Sequence, residues 1–337
     1  MRIAVIISLL LISGFLSGQE KKATIFGFPV VYRTPENGFT GGAAIASSFF
    51  LSRSDTVSPP ALISLSTSVS ESGQYQVYLP FQTFFKQRRW FVQAEVAYSS
   101  LERRFYADPA SENYLTNTFD QLKLRFGTMR LIKAQWYAGV RYWYEANAFD
   151  VDGFEHPQQF QVHAPAIMVT RDRRQDIFFP KSGSWLEIFW QSNMGDLRFN
   201  RMRFDYRQYL STKSERLVLA GQLFVEYADE PLPFLISPSI SGPRKLRGWY
   251  ENQLYGQTAA YIQSEMRMLV WRRFGVSAFA GWGVIQSPVN TAIFIAKAGY
   301  GGGFRFLADR SKGIYLRADA AGGSGVPFVY LTIGESF

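Results

Sequence analysis

Arg201-Met202-Arg203-Phe204-Asp205-Tyr206-Arg207 alternates charge with apolar bulk at every step. The odd positions carry Arg201, Arg203, Asp205 and Arg207, and the even ones Met202, Phe204 and Tyr206. A period of two marks a β-strand whose two faces meet different surroundings. The pattern recurs along the chain. Gln121, Lys123 and Arg125 interleave with Leu122, Leu124 and Phe126, and Gln263, Glu265 and Arg267 with Ile262, Ser264, Met266 and Met268. Gln93 and Glu95, and Arg317 and Asp319, sit in the same kind of alternation.

A water-soluble sandwich also alternates, so composition and connections have to separate the two cases. The 337 residues are 17% aromatic and only 19% charged, with 30 Phe, 18 Tyr and 28 Gly. Beyond the first residues no apolar run approaches the roughly 18 that a membrane helix needs. Many aromatics and few charges without such a run fit a transmembrane β-barrel, with an apolar outer face, aromatic rims and a polar lumen. The mean hydropathy of −0.09 is what two opposed faces average to.

The pattern predicts an all-β fold, an antiparallel barrel of about 16 strands, from Ile25–Tyr32 to Phe328–Ser336. Connections after even-numbered strands are short and basic, such as Lys86-Gln87-Arg88-Arg89 and Trp271-Arg272-Arg273-Phe274. Several after odd-numbered strands are long, among them Leu101–Asn117 and Ala148–Gln159. Short turns at one end and long loops at the other are the expected polarity of an outer-membrane barrel, with both termini in the periplasm. The longest connection, Asp229–Gln257, lies between strands expected at Arg216–Tyr227 and Thr258–Trp271. Its centre reads Gly242-Pro243-Arg244-Lys245-Leu246-Arg247-Gly248-Trp249-Tyr250, an Arg-Gly-aromatic core that suits an ordered, tucked-in loop. Structureless connections of that length are uncommon.

Met1-Arg2, the apolar run Ile3–Leu16 and the small residues Ser17-Gly18 read as a secretory signal over 1–18, leaving 19–337 as the barrel. The chain has no Cys, which removes disulfides, thiolate metal sites and a lipid-attachment cysteine. The net charge of +9 would suit nucleic acid, but export argues against that partner. Basic turns beside anionic headgroups are the simpler account, with lipopolysaccharide and phospholipid as surroundings. Enzymatic chemistry finds little support. His156 sits in a loop beside Glu155, too few ligands for a metal; a lipid-facing hydrolase would need a His–Ser pair such as His163 with Ser192, and a polar wall histidine is the simpler reading of His163. Gly299–Gly303 lies within a strand with no helix after it, so it is no phosphate cradle; glycines there suit close approach of a plug or a bend in the wall. No cofactor and no metal are expected.

Four motifs together resemble the BamA/TamA-type outer-membrane assembly and translocation family, also called the bacterial surface antigen family. Leu246-Arg247-Gly248-Trp249 resembles its Val-Arg-Gly-Phe/Tyr motif in the loop between strands eleven and twelve. Thr170–Gly183 resembles its Asp-x-Arg-Asp…Pro-x-x-Gly turn, and Gly299–Phe306 its glycine-rich penultimate region. Phe28-Pro29-Val30-Val31-Tyr32 with Pro35-Glu36-Asn37-Gly38 resembles its first hairpin. The resemblance implies a loop folded into the lumen, with Arg247 paired to acids on strands twelve and thirteen. Glu265 matches the first acid; the second position is Gly281, which leaves Glu265 as the anchor. No POTRA repeats precede the barrel, so the resemblance implies a barrel-only member, with substrate capture by periplasmic or membrane partner proteins.

The resemblance further implies a Gram-negative outer-membrane location and client outer-membrane or surface proteins. Clients would be inserted or translocated at a seam between the first strand (Phe28, Val30, Tyr32) and the last (Val329, Leu331, Ile333, Phe337). Phe337, at the carboxyl end of an amphipathic strand, resembles the signal by which such barrels are recognised for insertion. The alternative is a structural or passive-transport barrel, porin-like and plugged, without client handling.

Overall fold

The computed structural model describes residues 24–34, 38–52, 54–106, 113–149, 159–176, 179–288, 290–309, 314–333, 335 and 337. Among them are sixteen strands. In order these are β1 (Thr24–Thr34), β2 (Gly38–Phe49), β3 (Ala61–Ser70), β4 (Tyr75–Phe85), β5 (Trp90–Phe105) and β6 (Leu115–Lys133). They continue as β7 (Trp136–Phe149), β8 (Gln159–Asp172), β9 (Gly183–Met194), β10 (Arg198–Ser211) and β11 (Leu217–Ala228). The last are β12 (Thr258–Trp271), β13 (Phe274–Gln286), β14 (Phe294–Asp309), β15 (Ile314–Gly322) and β16 (Phe328–Ile333). Each pairs antiparallel with its neighbours, and β1 meets β16 to close the barrel. The proposed signal segment, and His156 with Glu155, lie outside the described residues.

The alternation sorts the faces as expected. Ile167 (59% exposed), Ile262 (57%) and Phe304 (73%) point outward, while the same strands bury Ala166, Tyr261 and Arg305. Closure removes the free edges that an open sheet would expose, which a strand needs in lipid. The β6–β7 turn places Ala134 and Gln135 at φ 46° and 71°, the left-handed pair of a tight hairpin whose twist matches its strands.

Several strand boundaries differ from expectation. Leu101–Asn117 was expected as loop, yet β5 and β6 stay paired up to Phe105↔Leu115, because Thr116, Thr118 and aromatic residues there suit a ladder. At the other extreme β16 stops at Ile333, short of the expected Ser336.

The lumen is layered. At the short-turn end Met129, Tyr137, Met168 and Phe189 pack together with Phe84 and Phe91. At the long-loop end Phe160, Val162, Phe199 and Ile236 form a second apolar layer, joined by Phe119, Phe234 and Tyr255. Charged residues fill the middle, and into it descends the 229–257 connection.

Candidate functional site: a loop docked in the lumen

The inner wall that receives the loop is set by strand register. Arg267 on β12, Ser277 on β13, Gly303 on β14 and Asp319 on β15 stand in one row. The two small residues between the charged ends leave room for a guest. In the next row Glu265 pairs with Phe279, and Phe279 with Gly301.

Arg247 occupies that room. Its Nη2 donates to Glu265 Oε2 at 2.5 Å and its Nη1 to Asp319 Oδ2 at 2.8 Å, while the guanidinium lies 3.3 Å from the Phe279 ring centroid. Arg247 is 2% exposed and Glu265 fully buried. A guanidinium suits this place because its planar fork serves two carboxylates at once and its face stacks on an aromatic ring. The carboxylates are shared with the wall. Arg267 Nε and Arg305 Nη2 each donate to Glu265 Oε1 at 2.9 Å, and Arg305 Nη1 donates to Asp319 Oδ1 at 2.6 Å. Arg317 Nε lies 3.3 Å from Asp319 Oδ2. Charges buried this deeply require such partners, since an unpaired one would cost several kcal/mol.

Asp319 is the second acid that Arg247 binds. The strand-thirteen position holds Gly281, and the second carboxylate comes instead from β15. Gly281 has another task, because a Cβ there would sit 2.6 Å from Leu246 Cδ2. The position that would carry an acid is filled by the loop's own leucine, within a cluster of Ile240, Leu254, Tyr261 and Ile285. The inward alternation of Arg317 and Asp319 was visible in sequence, and it was the signal that could have pointed to this pair.

The loop's backbone is held as firmly. Gly248 takes a left-handed φ of 98°, and its carbonyl and amide meet Ser324 N at 3.1 Å and Tyr330 Oη at 3.1 Å. Trp249 Nε1 donates to the Ala298 carbonyl at 2.8 Å. Gly299 faces the Arg247 carbonyl so closely that any Cβ would collide with it, which is the close approach expected of that glycine run. Tyr250 meets Phe328 edge-on, with ring centroids 4.8 Å apart. The loop thus spans from β12 to β16, gripping the last strand by Tyr330 and Phe328.

Further up, Arg103 reaches Glu251 at 3.0 Å and holds its carboxyl below the usual carboxylate range. Arg104 lies over the Tyr250 ring at 3.9 Å. The charged strand β10, with Arg201, Arg203, Asp205 and Arg207, lines the facing wall. Arg203 binds Glu226 at 2.6 Å, Arg207 binds Asp205 at 2.7 Å, and Arg201 donates to the Ile236 carbonyl of the loop.

The seam is thin. Arg33↔Leu331 is the one register pair that joins β1 to β16 among the described residues. The sparsest of the other junctions, β3–β4 and β15–β16, hold six each among the described residues. Phe28, Val30 and Tyr32 lie on β1 opposite Ala44, Gly42 and Thr40 of β2. On β16, Val329 is 43% exposed, Leu331 is half-buried, and Ile333 ends the strand. The expectation for Phe337 is corrected: it is off the strand and 8% exposed, packed with Tyr209 and Ala220 inside the lumen. Arg267 Nη2 donates to its carbonyl at 3.1 Å, and Glu335 lies 3.2 Å from Arg305 and 3.5 Å from Arg267. The basic wall therefore draws the chain end inward after Ile333.

The other expected constellations resolve locally. Asp172 binds its neighbour Arg174 at 2.8 Å, and Gly183 at φ 99° closes the β8–β9 turn, a structural use of that motif. His163 faces outward, with Nδ1 2.9 Å from Tyr142 Oη and Nε2 3.5 Å from Gln161 Oε1. No hydrogen bond joins it to Ser192 among the described residues.

The sequence pattern of the Omp85 superfamily domain matches residues 62–306. A search of curated proteins gave no sequence match. Among solved structures, BamA from Haemophilus ducreyi lacking POTRA domains 1–3 superposes with a TM-score of 0.64 at 13% identity, over 94% of this chain and 70% of that one. CdiB from Acinetobacter baumannii gives 0.65 at 13% identity, over 94% and 60%, and CdiB from Escherichia coli 0.63 at 11%, over 92% and 63%. This chain thus spans less than two thirds of either CdiB chain, and at these identities the likeness is one of fold. With more than half its length matched to the domain, the chain belongs to the Omp85 superfamily of outer-membrane β-barrels.

Proposed function

We propose that the protein assists the insertion or translocation of other outer-membrane or surface proteins at the β1–β16 seam. The observation that carries this reading is the single register pair, Arg33↔Leu331, at that junction among the described residues. A strand edge with so few partners can exchange them, and an incoming client strand gains main-chain hydrogen bonds by pairing there. No side chain performs chemistry in this scheme. The docked loop supplies order: Arg247 fixes it to Glu265 and Asp319, while Gly248 and Tyr250 hold Tyr330 and Phe328 of β16. Client capture is assigned to a periplasmic or membrane partner protein.

A photo-crosslinking amino acid at Val329 tests this in cells. The reading expects adducts with nascent outer-membrane strands, absent when the probe is moved to outward-facing Ile262 on β12. A plugged passive-transport barrel would give no client adduct at either place.

A further inference from the structure

The end of the barrel with the short turns carries a charge pattern that neither the docked loop nor the seam uses. From the β4–β5 turn to the β12–β13 turn it exposes Arg89, Lys133, Arg173, Lys213, Arg216 and Arg273. Acids at this end are few and engaged: Asp172 is bound by Arg174 at 2.8 Å and Glu215 by Lys181 at 2.9 Å, while Asp176 accepts from Phe179 N at 2.9 Å and Asp55 from Gln87 N at 2.8 Å. The opposite rim presents Asp196, Asp229 and Glu230 among its exposed turn residues instead.

Directly beneath this cationic rim lie three tryptophans, each with a guanidinium over its ring. Trp90 is covered by Arg130 at 5.7 Å, Trp136 by Arg171 at 5.3 Å and Trp271 by Arg272 at 5.0 Å. Trp90 opens β5 on the parity opposite inward-packed Phe91, Trp136 opens β7 beside buried Tyr137, and Trp271 closes β12 at 58% exposure. Phe85 stacks on Trp90 and Phe274 on Trp271, with interplanar angles of 11° in both pairs. Indoles collect where hydrocarbon gives way to headgroups, so these three mark that depth and put the turn cations at the level of the phosphates.

We propose that this rim is a binding belt for anionic phospholipid headgroups. The guanidinium and ammonium groups of the turns take the phosphates, and the three indoles fix the depth of the belt. The lipid is favoured over an acidic protein because the cations stand immediately beyond outward-facing aromatic residues. Guanidinium pairs with phosphate bidentately, and a surface of several cations attracts anionic leaflets additively.

The test uses the full chain refolded into phosphatidylcholine vesicles with about a third of the lipid replaced by phosphatidylglycerol. Lipids retained after mild detergent extraction are identified by native mass spectrometry. Phosphatidylglycerol should be retained in roughly fivefold excess over its share. The combined variant Arg89→Gln, Lys133→Gln, Arg173→Gln, Lys213→Gln and Arg216→Gln should lose that excess while keeping the heat-modifiable band of a folded barrel. If it fails to fold, Lys213→Gln and Arg216→Gln made singly should each remove part of the excess. Equal retention of both lipids by the unaltered protein, or an excess that survives these changes, overturns the proposal. So does a combined variant that keeps the excess and instead loses an acidic protein partner.

Discussion

Arg247, on the loop between β11 and β12, is bound by Asp319 on β15 at 2.8 Å, next to the seam strand β16. The loop's arginine therefore ties β12, through Glu265, to the strand beside the junction with the fewest register pairs among the described residues. Order at the seam and docking of the loop become one property.

Removing that tie should be costly. Arg247→Ala takes the guanidinium from two buried carboxylates, and the loss of one partner of a buried pair costs about 3 kcal/mol or more. Arg267 and Arg305 keep the acids partly paired, so the barrel should still fold. The 229–257 connection should become cleavable by trypsin, and the urea midpoint should fall. Arg247→Lys should restore little, because a single ammonium cannot bridge both carboxylates while lying on Phe279.

Restoring the acid at the strand-thirteen position should not strengthen the anchor. In Gly281→Asp the new Cβ meets Leu246 Cδ2 at 2.6 Å and Gln263 Cβ at 3.0 Å. Overpacking of this kind costs about 1–3 kcal/mol. Trp249 fluorescence should report a loop displaced from the wall. A gain in stability would show that Arg247 lacks a second acid, contrary to its bond with Asp319.

The Arg103–Glu251 contact sets a direction with pH. Arg103 lowers the Glu251 carboxyl in the folded chain, so its contribution is fully present above the ordinary carboxylate value and is lost as pH falls through the lowered folded value. Protease protection of the upper loop should hold at mildly acid pH and decline only in stronger acid. In Glu251→Gln this part of the pH dependence should vanish.

Phe337 should matter after assembly as well as before it. Its ring is buried beside Tyr209 and Ala220, so Phe337→Ala should lower the stability of the folded barrel by about 3 kcal/mol. Were the residue only an insertion signal, purified folded Phe337→Ala would unfold at the same urea concentration as the parent.

The barrel was legible because lipid and lumen impose opposite chemistry on alternate residues, and that signal survives in each strand separately. Glu265 was legible for the same reason. Asp319 was not, since its meeting with Arg247 depends on the register across β13 and β14, where Ser277 and Gly303 clear the way. The end of β16 was hidden by its own pattern: Val329, Leu331, Ile333 and Phe337 continue the strand parity to the last residue. What overrides it is the pull of Arg267 and Arg305 on Glu335 and the final carbonyl, a contact between segments far apart in sequence.

A disulfide across the seam tests the central claim most directly. The chain has no cysteine of its own, so Arg33→Cys with Leu331→Cys introduces a single pair at the one position that pairs β1 with β16 among the described residues. Client assembly in cells that depend on the protein is then measured with the bond oxidised and again after reduction. The account predicts that oxidation blocks assembly of client outer-membrane proteins and that reduction restores it. Unchanged assembly with the seam fully locked would contradict it.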